Sequence, residues 1–203
     1  MIKSLCDEAG VKYEAIYRVT TIDPPPLIGF IREHHPEVKW ERSRKGPFLS
    51  RLKVRGFPLR QQRWCCEEFK HPAPRNRTTV VGVRGLESTA RRENWAEVMG
   101  DAPPEKVCPI YTWSDDDVWH YIHDRDLPYC SLYDDGWKRI GCLFCPFESG
   151  GNKLDQTKRF PAFTKAFIRA FERLHAHRKS QGRGSVDRWR NGEEMFWWWI
   201  RED

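Results

Sequence analysis

Hydrophobic and polar positions along the first part of the chain alternate between short apolar runs and short amphipathic segments. Residues 13–22 and 78–83 are rich in the β-branched and aromatic residues typical of strands. The run 78–83 is continuously apolar or β-branched, which predicts a buried parallel strand. Residues 38–40 and 107–111 are two further strand candidates. This alternation predicts an α/β protein with a mostly parallel sheet and crossover helices.

The helices of this part carry recognisable start and stop signals. Residues 2–9 are followed by Gly10, which suits the position after a helix end. Three prolines open a short helix over residues 24–35, and residues 47–52 predict another. Ser114 is the expected N-cap of a helix with three acids in its first turn.

The pattern becomes helical after the first 150 residues. Apolar residues recur at three- and four-residue steps over residues 160–174, which predicts one long amphipathic helix. A last helix is expected over residues 192–199, where an aromatic cluster favours docking on a core. We therefore predict an α/β domain over residues 1–150 and a basic helical extension over residues 151–203 that packs on it.

Charge and composition narrow the classes of partner. The net charge is +6, and residues 151–190 carry eleven Lys or Arg against three Asp or Glu. This excess favours an anionic partner, either a nucleotide or a nucleic-acid backbone, with a solvated helix face as the alternative. No apolar run approaches the roughly 18 residues of a membrane span, and the start lacks a signal peptide. Seven cysteines without a regular spacing then indicate a reduced, cytoplasmic protein.

Four cysteines form the first chemical feature. Cys65 and Cys66 are adjacent, while Cys142 and Cys145 lie in Gly-Cys-Leu-Phe-Cys-Pro, which predicts one four-thiolate site joining distant parts of the chain. Adjacent cysteines are unusual for structural zinc, whereas a [4Fe-4S] cluster accepts varied spacings. We favour the cluster, and zinc or unligated thiols remain open. Lys70 could place a cation beside this group, with plain surface as the alternative. The other cysteines are interpreted as small core residues: Cys6, Cys108 and Cys130.

The second chemical feature is the loop directly after the predicted strand 78–83. Ligands of α/β folds bind at the carboxyl ends of parallel strands. Gly82 and Gly85 allow a close approach of the backbone, and Arg84 and Arg91 offer planar groups that suit phosphate or sulfate. The alternative is a surface turn in which the arginines pair with nearby glutamates.

Together, these features resemble the phosphoadenosine phosphosulfate (PAPS) reductase family, which belongs to the adenine-nucleotide α-hydrolases, also called PP-loop ATP pyrophosphatases. The resemblance covers about residues 11–175. The matching motifs, in chain order, are the acidic turn at 19–25, Arg-Trp-Cys-Cys-Glu-Glu-Phe-Lys at 63–70, Gly-x-Arg-x-x-Glu-Ser-x-x-Arg at 82–91, the helix start at 114–119 and Arg-Ile-Gly-Cys-x-x-Cys-Pro at 139–146.

The resemblance implies a Rossmann-like fold, a bound adenine nucleotide, and a [4Fe-4S] cluster on the four cysteines. Carried over, Arg84 and Arg91 would hold the sulfate or phosphate end of the nucleotide, with Lys70 beside them and Asp23 at the lip of the site. The other positions assigned to this site are Gly82, Glu87 and Ser88. A thioredoxin or a sulfur-donor protein is the implied partner.

Two departures from the family affect the expected function. The family's Ser-Gly-Gly-x-Asp-Ser phosphate loop should precede the helix that ends near Gly10, so we expect an N-terminally truncated chain. Residues 149–152 contain a similar Ser-Gly-Gly, but they follow a cysteine turn rather than a strand. No cysteine follows Cys145, although reductases of the family carry a C-terminal Glu-Cys-Gly thiol.

These departures leave several functions open. We expect sulfonucleotide reduction or adenylation-linked sulfur transfer, and favour the transfer. The alternatives are a component of nucleic-acid modification, with the basic residues 151–190 on the backbone, and a non-catalytic remnant.

Overall fold

Two small sheets form the β part of this computed structural model, which describes residues 1–70, 77–101 and 105–202. In the first sheet, β1 (Ile16–Val19) runs parallel to β2 (Lys39–Arg42). In the second, β3 (Thr79–Val80) runs parallel to β5 (Lys106–Val107), which also pairs antiparallel with β4 (Val98–Met99). The predicted α/β, Rossmann-like fold class is confirmed.

Helices make up most of the chain's second part. Their bounds are α1 Ile2–Glu8, α2 Pro25–His34, α3 Phe48–Arg55, α4 Trp64–Phe69, α5 Thr89–Asn94, α6 Asp115–Asp124, α7 Gly150–Arg159, α8 Pro161–Ser180 and α9 Gly192–Glu202. Within the described ranges, no helix is both long and apolar enough to cross a bilayer.

Capping residues set the helix ends where the sequence predicts them. The Ser114 hydroxyl accepts a hydrogen bond from the Asp117 backbone N–H at 3.1 Å, and the Asp117 carboxylate accepts one from the Ser114 N–H at 2.7 Å. This reciprocal pair is a capping box, and it fixes the start of α6. Gly10 has a φ of +65°, in the left-handed region that follows many helix ends.

The predicted parallel strand over residues 78–83 exists as β3, but the prediction that it is long and buried is wrong. The strand β3 has only two residues, and both are half-buried. The reason lies in its position, because among the described residues β3 is an edge strand paired only with β5, which is equally short. The pattern of hydrophobic residues along the sequence cannot show whether a strand is central or at an edge of a sheet.

The largest part of the core is aromatic and lies between α3, α8 and α9. Phe167 of α8 is fully buried, and its ring centroid lies 5.8 Å from that of Phe48 in α3. Phe171, one turn further along α8, packs on Trp199 of α9 with centroids 5.3 Å apart. Phe144, from the second cysteine segment, meets Phe167 edge-on at 4.8 Å. The C-terminal helices therefore contact the cysteine turn directly. The predicted boundary between an α/β domain over residues 1–150 and a helical extension over residues 151–203 remains a prediction.

Candidate functional site

Cysteines from two distant segments line a single cavity. Cys65 and Cys66 lie in the first turn of α4, and Cys142 and Cys145 lie in the turn that precedes α7. Lys70, immediately after α4, lines the same cavity. The rest of the lining is mainly apolar: Ile22, Phe48, Pro58, Phe69, Leu143, Phe144 and Pro146, with the Thr20 side chain also present.

Hydrogen bonds hold the second cysteine segment in an uncommon backbone conformation. Phe144 has a φ of +56°, which bulky residues rarely adopt. Its backbone N–H donates to the Gln156 side-chain oxygen at 2.7 Å, and the Leu143 N–H donates to the Ile22 carbonyl at 2.8 Å. Such strain persists where the surroundings over-determine it, and it clusters at functional sites.

A second residue with a strained backbone, Thr21, lies between the cavity-lining residues Thr20 and Ile22. Thr21, a β-branched residue, has a φ of +68°, and its hydroxyl accepts a hydrogen bond from the Phe48 N–H at 3.0 Å. The buried Asp23 carboxylate accepts one from the Thr20 N–H at 3.1 Å. The Cys142 Sγ lies 3.6 Å from the Thr20 hydroxyl and 3.7 Å from the Asp23 carboxylate. Asp23, predicted at the lip of a nucleotide site, is thus buried beside a cysteine.

Burial disfavours negative sulfur in this cavity and raises the pKa of the Cys142 thiol, although Lys70 beside it acts in the opposite direction. Burial alone would lower the pKa of Lys70, but the negative forms of Cys142, Cys66 and Cys145 raise it. The pKa of the Cys65 thiol is raised, first by its hydrogen bond with Cys66 and then by burial. Adjacent thiolates repel each other, so Cys65 and Cys66 can both ionise only if positive charge balances them.

Residues 1–70, 77–101 and 105–202 contain no group of three or more His, Cys, Asp or Glu arranged to hold one metal ion. The donor set nevertheless fits a larger thiolate-bound group, because four sulfurs border an apolar cavity beside Lys70. The assignment of a metal group to these cysteines remains a prediction.

The predicted arginine loop forms a second group of charged side chains. Glu87 forms ion pairs with Arg84, with the Nε and Oε1 atoms 3.4 Å apart, and with Arg91. Arg84 makes a further ion pair with Asp115. Burial, followed by repulsion from Arg139 and Arg84, lowers the pKa of Arg91. Three guanidinium groups therefore act on one another here, and Glu87 partly neutralises them.

Arg139 has no assigned role in the sequence prediction, although it belongs to the cysteine motif. It lies three residues before Cys142, so it connects the arginine group to the cysteine turn along the chain. Only the fold could reveal that its charge acts on Arg91.

Two other predicted residues have structural roles. A Cβ atom at Gly82 would lie 3.3 Å from the Ile2 side chain, so glycine allows α1 to pack closely. The Ser88 hydroxyl caps α5 by accepting a hydrogen bond from the Arg91 N–H at 3.2 Å. Their part in nucleotide binding remains a prediction.

A buried carboxylate that the sequence does not single out anchors the cysteine pair. The side chain of Glu68 in α4 is only 4% exposed, and it accepts from Arg51 Nε of α3 at 2.9 Å. Lys45 and Arg55 approach it at 3.4 and 3.6 Å. The hydrogen bond from Arg51 lowers the pKa of Glu68 despite burial. These contacts fix α4 on α3.

Comparison with known proteins adds a family likeness. Residues 12–148 match the family model of the phosphoadenosine phosphosulfate reductase domain. The chain is 50% identical over 149 residues to an adenosine 5'-phosphosulfate reductase of Staphylococcus haemolyticus, which covers 66% of this chain and 60% of that relative.

The alignment with a second relative covers more of this chain but a smaller share of the relative. An uncharacterized protein of Methanocaldococcus jannaschii is 29% identical over 171 residues, which cover 78% of this chain and 35% of that relative. Another from the same organism is 28% identical over 136 residues, 33% of its length. The chain thus spans about a third of the length of these two curated relatives.

Replacing Glu68 by glutamine keeps the shape of the side chain but leaves Arg51, Lys45 and Arg55 without their carboxylate. We expect Glu68→Gln to lower the free energy of unfolding by about 1–3 kcal/mol, measured by urea denaturation. The control is Glu67→Gln, at an exposed neighbouring position, which should change it by less than about 0.5 kcal/mol. Equal effects of the two substitutions would contradict an anchoring role for Glu68.

Proposed function

This chain belongs to the phosphoadenosine phosphosulfate reductase domain family, and we propose that it binds a sulfur-bearing adenine nucleotide for sulfonucleotide reduction. The observation that carries this proposal is the meeting of four cysteines at one cavity, in a chain of this family. The arginine loop supplies the second requirement, a place for the anionic end of the nucleotide.

We propose that Cys65, Cys66, Cys142 and Cys145 hold a [4Fe-4S] cluster, with zinc as the less favoured occupant. Four thiolate ligands suit such a cluster, and the apolar lining would keep water from it. When bound, the cluster would supply redox-active iron. Lys70 would balance the negative charge of the sulfurs, since its ammonium group interacts with three of these four cysteines.

The proposed anion site uses Arg84 and Arg91, whose planar groups can hold a phosphate or sulfate through paired hydrogen bonds. The Glu87 carboxylate pairs with both arginines and would compete with an anionic ligand for them. Ligand binding would therefore have to displace or reorient Glu87. Arg139 would add a third cation, because its charge already acts on Arg91. Gly82 and Ser88 would shape the backbone of the same loop.

Reduction also needs a thiolate that can reach the sulfur atom of the nucleotide. In that step the thiolate attacks sulfur, the sulfur–oxygen bond to the phosphate breaks, and the nucleotide leaves with the electron pair. The three cysteines outside the cavity are buried: Cys6, Cys108 and Cys130. We propose that a thioredoxin partner supplies this thiol and that its second thiol forms a disulfide with the first and releases sulfite, whereas a sulfur-donor protein would serve sulfur transfer.

The burial of these three thiols also favours a second candidate, adenylation-linked sulfur transfer. Two assays separate the candidates. Release of sulfite from a sulfonucleotide in the presence of thioredoxin is expected for reduction, whereas conversion of ATP to AMP that depends on a sulfur donor is expected for transfer. Neither product, from protein that carries its cluster and binds nucleotide, would contradict both.

Iron content tests the cluster. Protein purified without oxygen should be brown and contain about four irons per chain. Cys142→Ser should remove the colour and most of the iron, because it deletes one ligand. Cys108→Ser is the matched control at a buried cysteine outside the cavity, and it should keep the iron. One zinc and no iron in the unmodified protein would overturn the cluster assignment.

Nucleotide affinity tests the anion site. Arg84→Ala should weaken binding of adenosine 5'-phosphosulfate by about 10- to 100-fold, measured by calorimetry, because it removes charge-assisted hydrogen bonds. Arg92→Ala changes an exposed arginine of α5, next to Arg91, and should leave the affinity within about twofold. Similar affinities for Arg84→Ala and the unmodified protein would exclude Arg84 from the site.

A further inference from the structure

The most concentrated charge of the chain lies before the cysteine pair rather than in its C-terminal part. Residues 42–66 contain eight Lys or Arg and no Asp or Glu. This segment runs from the end of β2 through α3 and into the first turn of α4. The prediction that the basic excess lies in residues 151–190 therefore describes only one of two basic segments.

The fold packs the two basic segments against each other. In addition to the Phe48–Phe167 contact, the ring of Phe57 stacks on that of Phe171 in α8 at 5.7 Å. The guanidinium of Arg178, near the end of α8, lies 5.7 Å from the centre of the Phe57 ring. The segment 42–66 and α8 are thus packed along each other.

The outer face of α8 carries cations that its neighbours do not neutralise. Lys165, Arg169 and Arg173 follow one another at four-residue steps, and all three are exposed. None makes an ion pair with a described residue, and like charges at this spacing destabilise a helix. Glu172, the nearest carboxylate in sequence, accepts instead from the Glu193 N–H at 2.9 Å and caps α9.

The segment 42–66 is equally short of counter-charge. Lys45, Arg51 and Arg55 share the single carboxylate of Glu68. Lys53, on the exposed side of α3, makes no ion pair within the described part of the chain. The two segments therefore present an excess of positive charge that an external polyanion could balance.

An exposed aromatic ring follows the second cysteine segment and contacts arginines of the segment 42–66. Phe147, two residues after Cys145, is 40% exposed. The guanidinium of Arg63 lies 4.2 Å from the centre of its ring, and Arg60 donates to the Pro146 carbonyl at 2.9 Å. An accessible ring beside arginines is a platform on which an unpaired base can stack.

We propose that residues 42–63, the outer face of α8 and Phe147 form a binding surface for a single-stranded nucleic acid. The phosphates would contact Lys53, Arg169 and Arg173, and a base would stack on Phe147. A single strand fits better than a duplex, because only unpaired bases expose their faces to an aromatic ring. This surface is distinct from the arginine loop to which we assign the nucleotide.

Salt-dependent binding of a labelled oligonucleotide tests the charged part of the surface. We would measure fluorescence anisotropy with a single strand of about 16 nucleotides, within the range that such proteins cover. The triple variant Lys53→Gln/Arg169→Gln/Arg173→Gln should bind at least about tenfold more weakly at low salt. Its plot of log affinity against log salt should be shallower by about 2, since each lost phosphate contact removes about 0.7.

A second triple variant controls for net charge. Lys12→Gln/Arg32→Gln/Lys39→Gln removes three exposed cations on and around α2 and the first sheet, and it should keep the slope of the unmodified protein. Circular dichroism would verify that both variants are folded. Equal losses in the two variants, or no binding by the unmodified protein, would overturn the proposed surface.

The stacking contact has its own test. Phe147→Ala should weaken binding of the single strand by about tenfold or more and leave binding of a duplex of equal length unchanged. Duplex binding as tight as single-strand binding by the unmodified protein would overturn the proposal. Calorimetry with adenosine 5'-phosphosulfate on the same variants separates this surface from the nucleotide site, whose affinity should not change.

Discussion

The architecture depends on the attachment of one cysteine segment to another that is distant in sequence. Hydrogen bonds from Leu143 to Ile22 and from Phe144 to Gln156 fix the second segment, while Glu68 fixes the first on α3. Each bond crosses between elements, so no local preference could create the arrangement. Its cost is visible in the positive φ of Phe144 and Thr21. A cavity bordered by four thiols is the product of these constraints.

Two carboxylates, Glu68 and Glu87, have different roles among the cations of the two charged groups. In both charged groups a carboxylate of the protein itself lies among cations, with Glu68 among three on α3 and the loop before it, and Glu87 between Arg84 and Arg91. Glu68 is buried, and removing it would leave charges unbalanced. Glu87 is more exposed and can move. One carboxylate therefore suits anchoring, and the other suits exchange with a ligand.

Local signals in the sequence were enough for six of the helices, whereas α4, α5 and α7 were not predicted. The cap at Ser114 and the apolar stripe of α8 depend only on near neighbours, and both predictions are confirmed. The prediction for residues 78–83 failed because edge position depends on which strands pair. Glu68, Arg139 and the strained Thr21 had no local signal, since their roles come from partners elsewhere in the chain. The sequence alone therefore predicts which cysteines line the cavity, but not the contacts that support them.

Differential alkylation followed by mass spectrometry tests most directly whether the four cysteines bind one group. The cavity cysteines are partly exposed, whereas Cys6, Cys108 and Cys130 are buried and provide an internal reference. In protein purified without oxygen, the thiols of Cys65, Cys66, Cys142 and Cys145 should be protected together and become reactive together when a chelator removes the metal. Full reactivity of any one of them before chelation, with the others protected, would contradict a single shared group.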